Sequence, residues 1–201
     1  NYQYILFLGT SHYFNEEEVL IKLDSILEKN QNLFKNVKIV YRPHPWRQGK
    51  KLEYIKKYEN IIIDPQMLDI IEMKKNNQPE LNYYPALLKN AEYVIGGPQT
   101  MMIETTIFNK YFLALTHKDK EIFSNMHNVF KYYEHFRGTE KISSIKFCDD
   151  LKNLEAIVKN IWSERNNLDI SIIDKEREFI LKNSSKGYKE DLKDITDEII
   201  S

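Results

Sequence analysis

Short apolar runs, each stopped by glycine, proline or polar residues, alternate along this 201-residue chain with longer stretches of helical spacing. Residues 4–8 (YILFL) form the first run. It is continuous rather than alternating, as in a strand buried on both faces, and Gly9-Thr10-Ser11 end it. Asn15 then caps a helix with Glu18 as its capping-box partner, and Val19, Leu20, Leu23, Ile26 and Leu27 share one apolar stripe. A second strand, 37–41, runs into Arg42-Pro43-His44-Pro45, and a third, 60–64, stops at Pro65. The polar stretch 66–79 reads as a short helix and loop, and 82–89 as a helix feeding the next strand.

Residues 91–117 hold the densest pattern. Tyr93 to Ile95 make a short strand, Gly96-Gly97-Pro98 break it, and Thr100 opens a helical run that Asn109 closes before the strand 112–116. This is a βαβ unit. The aromatic segment 118–138 is irregular, with a helix over 128–136, and 142–147 read as a sixth strand. Asp149-Asp150 cap a helix carrying Leu151, Leu154, Ile157, Val158 and Ile161, and the tail, 172–201, holds two charged amphipathic helices separated near Ser184-Ser185-Lys186-Gly187. Strands alternating with helices predict an α/β fold: a parallel sheet of about six strands with helices on both faces. One domain spans 1–165, and the helices of 166–201 pack on it.

Charge narrows the range of partners. With 29 basic and 30 acidic residues interspersed, the net charge is −1, so no broad positive field exists for a nucleic-acid backbone. The single cysteine, Cys148, excludes an internal disulfide framework, and the five histidines show no zinc spacing, which fits a reducing cytoplasmic compartment and no metal. No apolar run approaches the roughly 20 residues that span a bilayer. The chain enters a strand directly after Asn1, as a piece of a longer protein would.

In open parallel sheets, ligands bind beyond the carboxyl ends of the strands, so the chemistry is expected in three loops. Gly9, Thr10, Ser11 and His12 offer a close-approach glycine, two hydroxyls and an imidazole before a helix. In the second loop, prolines stiffen the segment that presents Arg42, His44 and Arg47; the guanidinium fork matches phosphate oxygens, and imidazole can donate to them. In the third, Gly97 lets the main chain approach a ligand, and Gln99, Thr100, Met101 and Met102 bring amide N–H groups to a helix start. Glu104 lies one turn on from Thr100, where a carboxylate suits a ribose diol. The same residues also suit ordinary strand exits, with Glu104 solvated, Trp46 packed on the surface and the histidines His127 and His135 in an aromatic cluster. His117 ends a strand and is ambiguous.

The segment YRPHP at 41–45, followed about fifty residues later by GGPQTMMIE at 96–104 and by Asn109-Lys110, resembles the nucleotide-binding half of GT-B-fold glycosyltransferases. It is most similar to the bacterial capsule and surface-carbohydrate group, with its Kdo-transferase-like and CDP-glycerol glycerophosphotransferase-like enzymes. The resemblance covers about 5–165 and implies a single Rossmann-like GT-B half. It departs from the family's pattern at 109–111, where Asn-Lys-Tyr replaces the usual Gly-Lys-Pro.

By this resemblance, Gly9, Thr10 and Ser11 face donor phosphates, Arg42 and His44 contact the diphosphate as the catalytic pair, Gln99 to Met101 supply amides, and Glu104 takes the ribose. The base lies near Pro65 and Gln66. The substrate is a nucleotide-activated sugar of the CMP, CDP or UDP type, with no further cofactor and no metal. The acceptor, a glycan or lipid-linked species, is bound through a missing N-terminal domain. The location implied is the cytoplasm, at the periphery of the inner membrane for a surface-polysaccharide enzyme. Two rivals share the architecture: a UDP-sugar 2-epimerase-like half, and a noncatalytic nucleotide- or glycan-binding module.

Overall fold

A computed structural model describes residues 2–12, 14–44, 52–72, 82–119, 125–133 and 136–184. Along the chain lie β1 (Gln3–Leu8), α1 (Glu16–Lys29), β2 (Val37–Arg42), β3 (Ile61–Ile63), α2 (Pro65–Glu72), α3 (Tyr83–Asn90) and β4 (Val94–Gly96). They are followed by α4 (Met101–Ile107), β5 (Phe112–Leu115), α5 (Met126–Tyr132), β6 (Ile145–Cys148), α6 (Leu154–Glu164) and α7 (Ile170–Ser184). The six strands form one parallel sheet in the order β3-β2-β1-β4-β5-β6. This is the α/β Rossmann-like arrangement expected from the alternating pattern.

The strands read as unbroken apolar runs because both of their faces are covered. Ile5, Phe7, Ile39, Tyr41, Ile95, Leu113 and Leu115 pack with the apolar stripes of α1 and α6. Their neighbours Leu6, Leu8, Val40, Val94, Phe112 and Ala114 pack with Leu88 of α3, Met102 of α4 and Val129 of α5. The strand order reverses between β1 and β4, so connections diverge there and a crevice opens beyond the strand ends. Register sharpens this: Leu8 pairs with Arg42 on one side and Gly96 on the other, putting the last residues of three strands in one row.

Several boundaries differ from the sequence expectation, each for a local reason. Arg42 is the last residue of β2, not the first of the loop. Helix α5 starts at Met126 and not at 128, because the Asn125 side chain accepts the Asn128 amide at 2.9 Å and so caps it earlier. Strand β6 starts at Ile145, since Thr139–Lys141 form a 3-10 turn and the Ile145 amide bonds back to Ile142. The Asp150 side chain caps a 3-10 turn, Leu151–Asn153, which leads into α6. In the tail, α7 packs against α4, and its Glu176 accepts the Ser143 amide at 2.7 Å. The second tail helix, Pro45, Trp46, Arg47 and His135 lie outside the described residues.

Candidate functional site

The exits of β1, β2 and β4 line a single cleft of about 450 Å³ at the point where the strand order reverses. Gly9, Thr10, Ser11, Arg42, His44, Gln99, Thr100 and Met101 all line it, joined by His12, Tyr84 and Phe136. Among the described residues, five expected ones do not line it: Gly97, Met102, Pro65, Gln66 and Glu104, the last one turn further along α4.

The β1 exit is held by a residue absent from the sequence expectation. Glu16, in the first turn of α1, is 3% exposed; its carboxylate accepts the Thr10 amide at 3.2 Å and the Tyr41 hydroxyl. A buried carboxylate needs such donors, and here they tie α1 to the ends of both β1 and β2. The sequence signal was its spacing, because Glu16 falls on the stripe of Leu20, Leu23 and Leu27. The Thr10 hydroxyl accepts the His12 amide at 3.2 Å, which curls the loop. Gly9 proves to be a packing glycine: a Cβ there would stand 2.7 Å from the His44 amide nitrogen and 3.0 Å from Pro43 Cα. The missing side chain thus admits the β2 exit, while Gly9 itself also lines the cleft.

Arg42 is not held out to solvent by its prolines. It is 8% exposed, and its guanidinium pairs with the fully buried Asp64 and donates to Gln66 Oε1 at 3.2 Å. Its Cζ lies 5.8 Å and 5.2 Å from the ring centroids of Tyr83 and Tyr84, within cation–π reach. Asp64 also accepts the Tyr83 hydroxyl at 2.6 Å and the Gln66 amide at 3.0 Å, and so caps α2, whose first residue is Pro65. Strand β3, the turn into α2 and α3 therefore hold one guanidinium in the cleft wall. The Arg42–Asp64 pair is neutral overall, so Arg42 can serve an anion through its remaining N–H donors more than through net charge.

At the β4 exit, the Met102 amide bonds to the Gln99 carbonyl at 3.0 Å, so Met102 is removed from the expected donors. Among the described residues, the amides of Thr100 and Met101 meet no main-chain acceptor, and the Thr100 side chain makes no cap. The buried Nε2 of Gln99 also has no hydrogen-bond partner. Gly97 makes room for the protein itself, since a Cβ would stand 2.5 Å from Met126 Sδ and 3.3 Å from Thr10 Cγ2. Helix α4 closes as expected at Asn109, whose φ of 54° is left-handed. Asparagine tolerates that region, and so stands in for the glycine of the resembled pattern.

Burial raises the pKa of the Glu104 carboxyl above its ordinary value, and the Tyr84 hydroxyl is pushed up by burial and then by the Glu104 charge. Beyond β5, His117 is buried edge-on to Phe14, its Nδ1 has no partner, and burial lowers its pKa. It does not line the cleft. Among the described residues, no group of three or more His, Cys, Asp or Glu side chains could hold a metal ion, and no helix is long and apolar enough to cross a membrane.

No protein-family model matches the sequence, and no curated protein matches it. Solved structures do match in shape. The glycosyltransferase of kitacinnamycin superposes with a TM-score of 0.54 at 12% identity, over 96% of this chain and 42% of its own. Wall teichoic acid polymerase TagF superposes at 0.52 and 14% identity, over 100% of this chain and 45% of its own. The chain has a glycosyltransferase-like fold. It spans less than half the length of either structure, and at these identities the likeness concerns fold alone. The parallel, Rossmann-like sheet thus agrees with the sequence expectation.

Proposed function

We propose that this chain is the donor-binding domain of a glycosyltransferase that builds a bacterial surface polysaccharide, with a nucleotide-activated sugar of the CMP, CDP or UDP type in its cleft. The observation that carries this reading is the meeting of three strand exits at the switch point, with unclaimed donors on the β4 side and a fixed guanidinium on the β2 side. The diphosphate lies between the amides of Thr100 and Met101, the Gln99 amide, His44 and the outward N–H groups of Arg42. Glu104, half-buried one turn along α4, takes the ribose hydroxyls at the cleft rim, and the base lies toward Pro65 and Gln66.

Transfer forms a bond from an acceptor oxygen to the anomeric carbon and breaks the bond from that carbon to the donor phosphate, whose oxygen keeps the electron pair. The nucleotide leaves as an anion, a monophosphate from a CMP donor or a diphosphate from a CDP or UDP donor, and the acceptor's proton passes to the base. Hydrogen bonds that strengthen as this charge grows lower the barrier, which is the catalytic part assigned to Arg42, His44 and the amides. These groups answer the charge without a metal ion. A second domain facing the cleft holds most of the acceptor and supplies its base, and the enzyme works in the cytoplasm at the inner face of the membrane.

Titration calorimetry with CMP, CDP, UDP and GDP tests the reading. At least one is expected to bind, with Glu104→Ala weakening it by about 1–3 kcal/mol, as for other hydrogen bonds to a charged group. Absence of binding across the panel, or a silent Glu104→Ala, refutes the assignment. A UDP-sugar 2-epimerase-like half would instead favour UDP and invert a donor sugar without acceptor. A noncatalytic module would bind without supporting transfer when the second domain is supplied.

A further inference from the structure

A second pocket adjoins the cleft across one side chain. It encloses about 210 Å³ between the end of α5 and the 3-10 turn Thr139–Lys141, and Phe136 lines both spaces. Its walls are aromatic. Tyr133 stacks on Phe136 with centroids 6.4 Å apart and planes 12° from parallel, and it meets His12 of the cleft edge-on at 5.5 Å. Tyr132, 58% exposed, lines the pocket with Lys131 Nζ 5.2 Å from its ring centroid, and Phe130, Arg137 and Glu140 complete the lining.

Size and polarity select the occupant. The volume is below the roughly 300–1,000 Å³ of sites for drug-sized ligands, which leaves room for one small ring and not for a nucleotide. Tyr133 and Phe136 stack on each other, so no base fits between them. Aromatic faces rimmed by a guanidinium, an ammonium and a carboxylate suit a ligand with C–H faces and hydroxyl edges, because the faces lose little on desolvation while the charged groups bond the hydroxyls.

We propose that this pocket is a carbohydrate subsite that receives one pyranose ring of the acceptor beside the donor cleft. It rests on the donor reading for the ligand's role as acceptor, and on the pocket alone for its chemistry. Phe136 borders both spaces, and Tyr133 of the pocket meets His12 of the cleft, so a ring seated here lies beside the donor cleft.

Saturation-transfer NMR on the 201-residue chain with the methyl glycosides of glucose, galactose and N-acetylglucosamine tests this, with calorimetry of the best-binding nucleotide in parallel. At least one glycoside is expected to receive saturation, to keep it when nucleotide is added, and to lose at least fivefold of it in Tyr132→Ala. Nucleotide affinity is expected to stay within twofold in that variant, and an unchanged amide spectrum away from α5 reports that it is folded. No transfer to any of the three glycosides overturns the proposal. So does full displacement by nucleotide, which puts the sugar in the donor cleft, and so does signal undiminished in the folded Tyr132→Ala. Glycoside binding that depends on Tyr132 in a chain that binds no nucleotide upholds the pocket and refutes the donor reading, whereas nucleotide binding without glycoside binding does the reverse.

Discussion

Replacing Asp64 by asparagine probes the cleft wall directly, because it removes one charge and little volume. The Oδ1 that the amide retains would still accept the Gln66 amide and the Tyr83 hydroxyl, so the cap on α2 survives and the change isolates the pair with Arg42. Asp64 is fully buried and Arg42 is 8% exposed. Leaving one member of such a pair unpartnered costs about 3–5 kcal/mol when both are deep, and Arg42 borders a cleft that admits water, so the expected loss for Asp64→Asn is near the lower end of that range. Arg42→Met strands the carboxylate instead, which has no exposure to relieve it, and is expected to cost more. The double variant removes both charges and should be less destabilised than the sum by about 1–3 kcal/mol. Urea unfolding followed by circular dichroism at constant m-value measures all three. Additivity within about 0.5 kcal/mol would show that Arg42 and Asp64 do not hold one another, and that the guanidinium is placed by something else.

The two packing glycines separate by what surrounds them. Gly9→Ala drives a Cβ against main chain at His44 and Pro43 and is expected to cost about 1–3 kcal/mol, whereas Gly97→Ala meets the tip of a thioether that can turn aside and should cost less; equal losses in melting temperature for the two would contradict this. His117 should make stability fall on mild acidification. Its folded pKa is lowered by burial, with Asp119, Glu18 and Asp150 only partly offsetting that, so its contribution is complete above the unfolded value of 6.5 and is lost as pH falls toward the folded value, because only the unfolded chain takes up the proton. Urea midpoints at about pH 7.5 and about pH 5.5 should differ less in His117→Phe than in the parent, and an unchanged difference would remove His117 as the cause.

Local pattern was enough to place the elements and most of the cleft's membership. Short apolar runs in an alternating α/β pattern are strands covered on both faces, and glycine, proline and asparagine punctuation set where they stop, so the parallel α/β class and the three strand-end loops were legible. Asn109 was legible as a helix end because its type tolerates a left-handed backbone.

What each loop residue does was settled by contacts across the fold. Strand order brought β2 and β4 to either side of β1, and no periodicity encodes which strand neighbours which. Long-range partners then added constraints that the sequence did not show: Asp64, 22 residues away, holds the guanidinium that the proline-flanked segment offered to solvent, and Pro43, His44 and Met126 pack where a side chain at Gly9 or Gly97 would stand. Backbone geometry and buried faces depend on near neighbours and so can be read along the chain, while pairing of charges and filling of gaps depend on residues that meet only when the sheet closes.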